Sequence, residues 1–258
     1  GGLLLYGIPN MKLDESVVAR RIALMETEGV TFKTSVNVGV DVTMEQLTAE
    51  YDYVILCCGA QAPRPVEFQG EAQGVYYALD YLKPVIQTQI GERKTAPSAK
   101  DKNVVVIGNG NTASDCIATA VRQGCRSVTQ IIRKPKSAYG PEIDYAHAET
   151  NEVFGEDIRR FSSKVKQIIP DEQGQLKSVV LSTESGESTI PAEMLLIASG
   201  FSGTEEYNAS LKEQGTEGKV IVAGDMRMGA TLVVLALADG KAAAAQADEM
   251  LMGYTSLK

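Results

Sequence analysis

Aliphatic residues in this chain come in short unbroken runs, each closed by glycine or another small residue, with helical spacing between them. Asn103-Val104-Val105-Val106-Ile107 is the clearest run, and it reads as a strand buried on both faces of a parallel sheet. Ala113, Ile117, Ala120 and Val121 then recur at helical spacing, so Gly108-Asn109-Gly110-Asn111-Thr112 joins a strand to a helix. Three further buried runs follow the same pattern. Tyr53 to Cys58 ends at Gly59-Ala60, Met194 to Ala198 closes on Ser199-Gly200, and Val220 to Ala223 enters Gly224-Asp225. A helix is predicted from about Glu15, with Asp14 as N-cap, Val18, Ile22 and Met25 along one face, and Gly29 as its stop. Thr43-Met44-Glu45-Gln46 fits a capping box, and Thr231 to Met252 reads as a long alanine-rich helix. Shorter helices are expected over 75–82 and 144–154, and strands over 30–34 and 127–132. From 161 to 198 the period shortens. Lys164 to Ile169, Lys177 to Thr183 and the turns at 171–174 and 184–186 suggest an antiparallel meander. Residues 1–9 read as an irregular loop lying against something apolar, and 87–101 as polar and mobile.

Composition leaves this α/β picture in place and narrows the partners. A chain of 258 residues with 44% hydrophobic and 22% charged residues can bury a real core. The net charge of −8 argues against nucleic acid or an anionic membrane as the main partner. No apolar run approaches the roughly 20 residues that span a bilayer. The four cysteines, Cys57, Cys58, Cys116 and Cys125, contain no C-x-x-C pair, so free thiols in a reducing cytoplasm are expected. A strained disulfide between Cys57 and Cys58 is the other possibility. One histidine, His147, rules out any multi-histidine metal site. The chain opens on Gly1-Gly2 without methionine, as the middle of a longer protein would.

The candidate chemistry starts in the glycine turn. Gly108-x-Gly110-x-x-Ala113, between strand and helix, is a dinucleotide fingerprint in its proper context. Gly108 permits the tight turn, Gly110 admits a pyrophosphate to the backbone, and Ala113 lets helix and strand pack closely. The helix N-terminus then offers unpaired amides and the positive end of its dipole. A glycine-rich turn that merely packs a helix on a sheet would leave the same letters. The next strand ends in Arg133-Lys134, with Lys136 behind, where an NAD site usually places an acid. Two cations suit a 2′-phosphate, which favours NADP over NAD, although a solvated basic turn would look alike. In the tail, Gly224 allows close backbone approach and the Asp225 carboxylate can accept bonds from ribityl or sugar hydroxyls. The helix that follows could stabilise negative charge on a reduced flavin, or could simply be a capped, buried helix.

Several blocks resemble the small (beta) subunit of NADPH-dependent glutamate synthase. They are Gly2 to Pro9 (GLLLYGIP), Arg20 to Glu26 (RRIALME), Asn37 to Thr43 (NVGVDVT) and Ser127 to Gln130 (SVTQ). Asp144 to His147 (DYAH), Val153 to Asp157 (VFGED), Ala198 to Phe201 (ASGF), Ala223 to Arg227 (AGDMR) and Leu232 to Val234 (LVV) belong with them. The resemblance covers nearly the whole chain. The Gly108 and Ala223 blocks also occur among related flavin reductases, including the NADPH–FAD portion of dihydropyrimidine dehydrogenase.

The resemblance implies two Rossmann-like three-layer dinucleotide-binding domains, with the meander in the NADPH domain. The FAD domain would be discontinuous and incomplete. Residues 1–70 would start it, 71–203 would form the NADPH domain with its linker, and 204–258 would return to the FAD domain. NADPH would be held by Gly108, Asn109, Gly110, Asn111, Thr112 and Ala113 with Arg133 and Lys134, and Ala198, Ser199 and Gly200 would flank its nicotinamide. FAD would meet Leu3, Lys12, Val38 and Gly59. It would also meet Ala223, Gly224, Asp225, Met226, Gly229, Ala230, Thr231 and Leu232. The family's cluster-binding cysteines and its first glycine fingerprint are not in this chain, and the 214–220 segment is shorter than expected. Iron–sulfur clusters would therefore lie in an upstream portion or in the partner.

The implied activity is hydride transfer from NADPH to FAD, with electrons passing through iron–sulfur clusters to a large subunit that makes glutamate from glutamine and 2-oxoglutarate. No general acid or base is required, because the cofactors carry the reactive atoms. Two other readings stand beside it. One is a flavin reductase feeding another acceptor such as ferredoxin, and the other is a nucleotide-binding module without turnover.

Overall fold

The computed structural model describes residues 1–139, 148–216 and 218–257. The chain forms two units, Gly1–Gly29 with Pro65–Ser199, and Val30–Arg64 with Gly200–Lys258. No helix among the described residues is long and apolar enough to cross a membrane.

The first unit is built on five parallel strands in the order β3 (Val75–Tyr77), β10 (Met194–Ile197), β4 (Asn103–Ile107), β5 (Ser127–Ile131) and β6 (Arg159–Arg160). Strand alternation divides the aliphatic run between two cores. Val104 and Val106 join the core beneath the helices, while Val105 and Ile107 face the meander core. Met194 and Leu196 against Leu195 and Ile197 repeat that division one strand away. A strand covered on both sides needs apolar residues at every position, and for that reason the run is unbroken.

Helix α4 (Ala78–Gln89) covers one face with Ala78, Tyr81, Leu82, Val85 and Ile86, at i, i+3, i+4, i+7 and i+8. Helix α5 (Asn111–Arg122) buries Ala113, Cys116, Ile117 and Ala120 beside it. The meander on the opposite face is β7 (Lys164–Pro170), β8 (Leu176–Thr183) and β9 (Gly186–Pro191), antiparallel as the turn residues predict.

The remaining expectations for this unit divide. Asp14 caps α2 (Glu15–Thr27) by accepting the Ser16 amide at 2.9 Å. Residues 2–6, expected to be irregular, form the short helix α1 (Gly2–Tyr6), closed where the Gly7 amide donates to the Leu3 carbonyl. Three leucines in a row are good helix formers, and α1 rests against α4. Val75 to Tyr77 is a strand, and the helix starts only after it, because the edge of β10 offers these residues a ladder. The 87–101 segment is tied down at its end. Ala99 is fully buried, and its amide donates to Gln123 Oε1 at 2.7 Å. The helix expected over 144–154 is seen as Ala148–Phe154, while Asp144 to His147 lie outside the described residues.

The second unit pairs β1 (Val54–Leu56) with β12 (Val220–Val222) in parallel, and β2 (Ala62–Pro63) with β11 (Phe201–Gly203) antiparallel. The capping box of α3 (Met44–Glu50) is complete, with Gln46 and Thr43 exchanging bonds of 3.1 and 2.9 Å. Residues 30–34 form no strand, because no segment among the described residues takes up their backbone groups. A helix at Glu206–Gln214, unforeseen from the pattern, packs Leu211 against Met44 and Leu56. The long helix runs Val233–Met252 and buries only Ala243 among its residues. Val234, Leu237 and Leu251 are exposed on it.

The expected break at 70/71 and the division between units differ. Residues 1–29 cluster with 65–199, where α1 meets α4 and Lys12 meets Asp115. All four cysteines are free thiols, including the adjacent Cys57 and Cys58.

Candidate functional site

In the first unit the parallel register brings the candidate residues to one edge of the sheet. Ile197 pairs with Ile107 and Ile107 with Ile131, so Ala198, Gly108 and Ile132 follow at one level beyond the strands' carboxyl ends. Ligands of open α/β sheets bind along that edge. The Ala198 amide donates to the Ile107 carbonyl at 2.8 Å, and the Gly108 amide donates to the Ile131 carbonyl at 3.2 Å.

The two glycines of the turn have different reasons to be glycine. Gly108 has φ +131, and a Cβ there would lie 2.2 Å from the Ala198 carbonyl oxygen. Gly110 has φ −91, and a Cβ there would meet nothing within 4 Å. Gly108 is therefore required by the fold, whereas the space in front of Gly110 is open. The Gly110 carbonyl accepts from Ala113 and Ser114, which starts α5. The amides of Asn109, Gly110, Asn111 and Thr112 donate to no group among the described residues. Four amides and a dipole end facing an open space make a cradle for an anion.

Arg133 and Lys134 stand exposed just past β5, and neither has an ionic partner among the described residues. The Lys134 carbonyl accepts the Ser162 amide at 3.2 Å, which fixes the backbone there. Asp157 is held by Arg159 through Nε and Nη2 at 2.7 and 2.8 Å. Those bonds hold the Asp157 carboxyl below the usual carboxylate range.

Leu3 and Lys12, expected beside a flavin, lie in this first unit. The Leu3 carbonyl is used by the Gly7 and Ile8 amides. Lys12 Nζ sits against Asp115 Oδ1 in a contact that is ionic rather than a directed hydrogen bond.

The second unit holds the other candidates. Gly224 has φ +67 and ψ −150, a region that essentially only glycine enters. Its amide donates to Asp239 Oδ2 at 2.7 Å, and Arg227 binds the same carboxylate through Nε at 3.1 Å and through Nη2. The Arg227 bond, with help from the Gly224 amide, lowers the Asp239 pKa. Asp225 Oδ1 accepts the Thr231 amide at 3.1 Å and the Thr231 hydroxyl at 2.6 Å, leaving Oδ2 without a partner among the described residues. Met226 packs on the core around Met44, and the Gly229 amide closes the turn onto the Asp225 carbonyl at 2.9 Å. Ala223 is fully buried, with its amide bound to the Leu56 carbonyl. Ala230 and Leu232 follow in the exposed approach to the long helix. Val38 gives its carbonyl to the Tyr207 hydroxyl, and Gly59, at φ +80, gives its own to Thr204 Oγ1 at 2.7 Å. Gly200 accepts from the Arg64 amide at 2.9 Å, while Ser199 belongs to the first unit.

Two residues that shape these turns escaped the sequence reading. Asp239 gave no signal, being one more acid on a helix. Gln130 gave a faint one, as a polar residue at an inward position of β5.

The comparisons agree with this architecture. Residues 10–240 match the family described as pyridine nucleotide-disulphide oxidoreductase. The glutamate synthase [NADPH] small chain of Bacillus subtilis is 36% identical over 307 residues, covering all of this chain and 62% of the relative. The chain thus spans under two thirds of that relative's length. Mycobacterium tuberculosis FprA in complex with NADPH has a TM-score of 0.68 at 16% identity, covering 97% of this chain and 74% of that one. Thioredoxin reductase from T. acidophilum also gives 0.68, at 18% identity, covering 97% and 88%. At those identities the two structures speak for the fold.

Proposed function

Since the chain belongs to the pyridine nucleotide-disulphide oxidoreductase family, we propose that it is the NADPH-oxidising part of a flavoprotein of the glutamate synthase small-chain type. In this reading hydride passes from NADPH to FAD. Electrons continue through iron–sulfur clusters to a large subunit that makes glutamate from glutamine and 2-oxoglutarate.

The observation that carries the reading is the cradle at Gly110. Open space where a Cβ would stand, four amides with no acceptor among the described residues, and Arg133 and Lys134 beyond the next strand, with no ionic partner among them, fit a dinucleotide bearing a third phosphate. The small-chain relatives, named for NADPH, support the same coenzyme. For the flavin, the fit rests on Gly224, whose conformation admits close backbone approach, and on Asp225 Oδ2, which remains available to a hydroxyl.

The nicotinamide and the isoalloxazine supply the hydride chemistry. The residues of this chain bind and orient. The α5 amides neutralise a diphosphate, Arg133 and Lys134 take a 2′-phosphate, and Ala198 and Ser199 lie at the sheet edge beside the glycine turn. Asp225 is a hydrogen-bond acceptor in this scheme and moves no proton. Four free thiols fit a reducing cytoplasm.

The test is a coenzyme titration of the purified protein, followed by steady-state oxidation with flavin present. NADPH should bind at least about tenfold more tightly than NADH, the minimum that one added charge-assisted contact supplies. Equal affinity for both, or affinity for neither, ends this reading.

A further inference from the structure

Gln130 is 1% exposed, and β5 is flanked by β4 and β6 at its position, where Val106 and Arg159 are its partners in register. An aliphatic side chain would satisfy that setting, as Val128 and Ile131 do nearby. A buried amide is costly unless bonded, and half of this one is not. Nε2 donates to the Gly108 carbonyl at 2.8 Å, while Oε1 is buried without a partner among the described residues. Rotating the amide would set two acceptors against each other, so chemistry fixes the orientation.

The bond acts at the point where the ladder gives out. The Gly108 amide still reaches the Ile131 carbonyl, but its own carbonyl has left the sheet and receives its donor from a side chain. In a trans peptide the C=O and the following N–H point in opposite directions. Holding the Gly108 carbonyl back against β5 therefore turns the Asn109 amide outward, into the same set as those of Gly110, Asn111 and Thr112. A rotation of that one peptide would replace a donor with a carbonyl oxygen in front of a bound phosphate.

We propose that Gln130 is a positioning residue for the diphosphate of the coenzyme, setting the direction of the first amide of the phosphate turn through the Gly108 carbonyl. The proposal rests on the coenzyme reading above and adds a residue that never touches the ligand. It also explains a polar group left half satisfied in the core, because an apolar residue would pack there but could not hold the carbonyl.

The experiment uses Gln130→Met, which keeps the volume and removes both the donor and the unpartnered oxygen. NADP⁺ and 2′-AMP, which lacks the diphosphate, are titrated calorimetrically into the wild type and the variant, with thermal melts alongside. The expected result is a loss of about tenfold in NADP⁺ affinity, 2′-AMP affinity unchanged, and a melting temperature no lower than the wild type. Gln130→Asn, whose amide is too short to reach, should show the same selective loss and serves if the Met variant does not fold. Unchanged NADP⁺ binding in a folded variant overturns the proposal, as does an equal loss for both ligands. A wild type that binds NADP⁺ no better than 2′-AMP overturns the proposal alone, whereas one that binds neither overturns the coenzyme reading and takes the proposal with it.

Discussion

Gly108 and Ala198 each follow the last residue of one of two neighbouring parallel strands, and the carbonyl oxygen of Ala198 lies 2.2 Å from where a Cβ on Gly108 would stand. Side-chain volume at Gly108 is therefore excluded by the sheet itself, before any ligand is considered. Gly110, two residues on, has no such neighbour.

The two glycines should consequently fail in different ways. Gly108→Ala combines a backbone clash with a positive φ, and should lose about 2–4 kcal/mol of stability in denaturant titration. Gly110→Ala should stay within about 1 kcal/mol of the wild type yet bind NADPH at least about tenfold more weakly, since its methyl enters the open cradle. Equal stability of the two variants would contradict this account of the turn.

Under the proposed function, the coenzyme preference rests on Arg133. Arg133→Ala should raise the KM for NADPH by roughly 10- to 100-fold, the worth of a charge-assisted contact, while leaving that for NADH nearly unchanged. A parallel rise for both coenzymes would assign Arg133 to general electrostatics. Lys134→Ala should act in the same direction with a smaller effect, because an ammonium binds phosphate as a point charge.

Asp239 organises the turn after β12 through Gly224 and Arg227. Asp239→Asn should weaken flavin retention without touching NADPH affinity, read as the 450 nm region absorbance that survives gel filtration (roughly where any bound flavin absorbs). The pH dependence has a definite sign. Its folded pKa is lowered, so the contact contributes fully above the ordinary Asp range near about pH 4 and is lost as pH falls through the folded value. Flavin retention limited by this turn should therefore be flat from neutral pH down to that range and fall only below it, and the Asn variant should lack that acid limb.

Lys12 and Asp115 form a half-buried pair, with side-chain exposures of 44% and 10%. Lys12→Met strands a buried carboxylate and should cost about 1–3 kcal/mol, discounted from a fully buried pair because Lys12 is partly solvated. Asp115→Asn made on top of it should recover part of the loss, giving a non-additive cycle in urea melts. Strict additivity would show that the contact carries no energy.

Residues close in sequence decided much of this protein without help. The β4 strand, glycine turn and α5 helix were legible because a fully covered strand must be apolar throughout, and because Gly108 and Gly110 stand at the fingerprint spacing. The Thr43–Gln46 box and the Asp14 cap are bonds between residues three and two apart, so local letters suffice. The meander followed from period-two alternation and its turn residues. What only the tertiary structure decided is which partner each segment meets. Val75 to Tyr77 became a strand because β10 lies alongside, and Val30 to Thr34 did not because nothing among the described residues does. Gln130 reaches Gly108 across 22 residues, and Asp239 reaches Gly224 across 15. Hydrogen-bond satisfaction at those turns is settled by contacts distant in sequence, which hydrophobic periodicity records as faces and never as pairs.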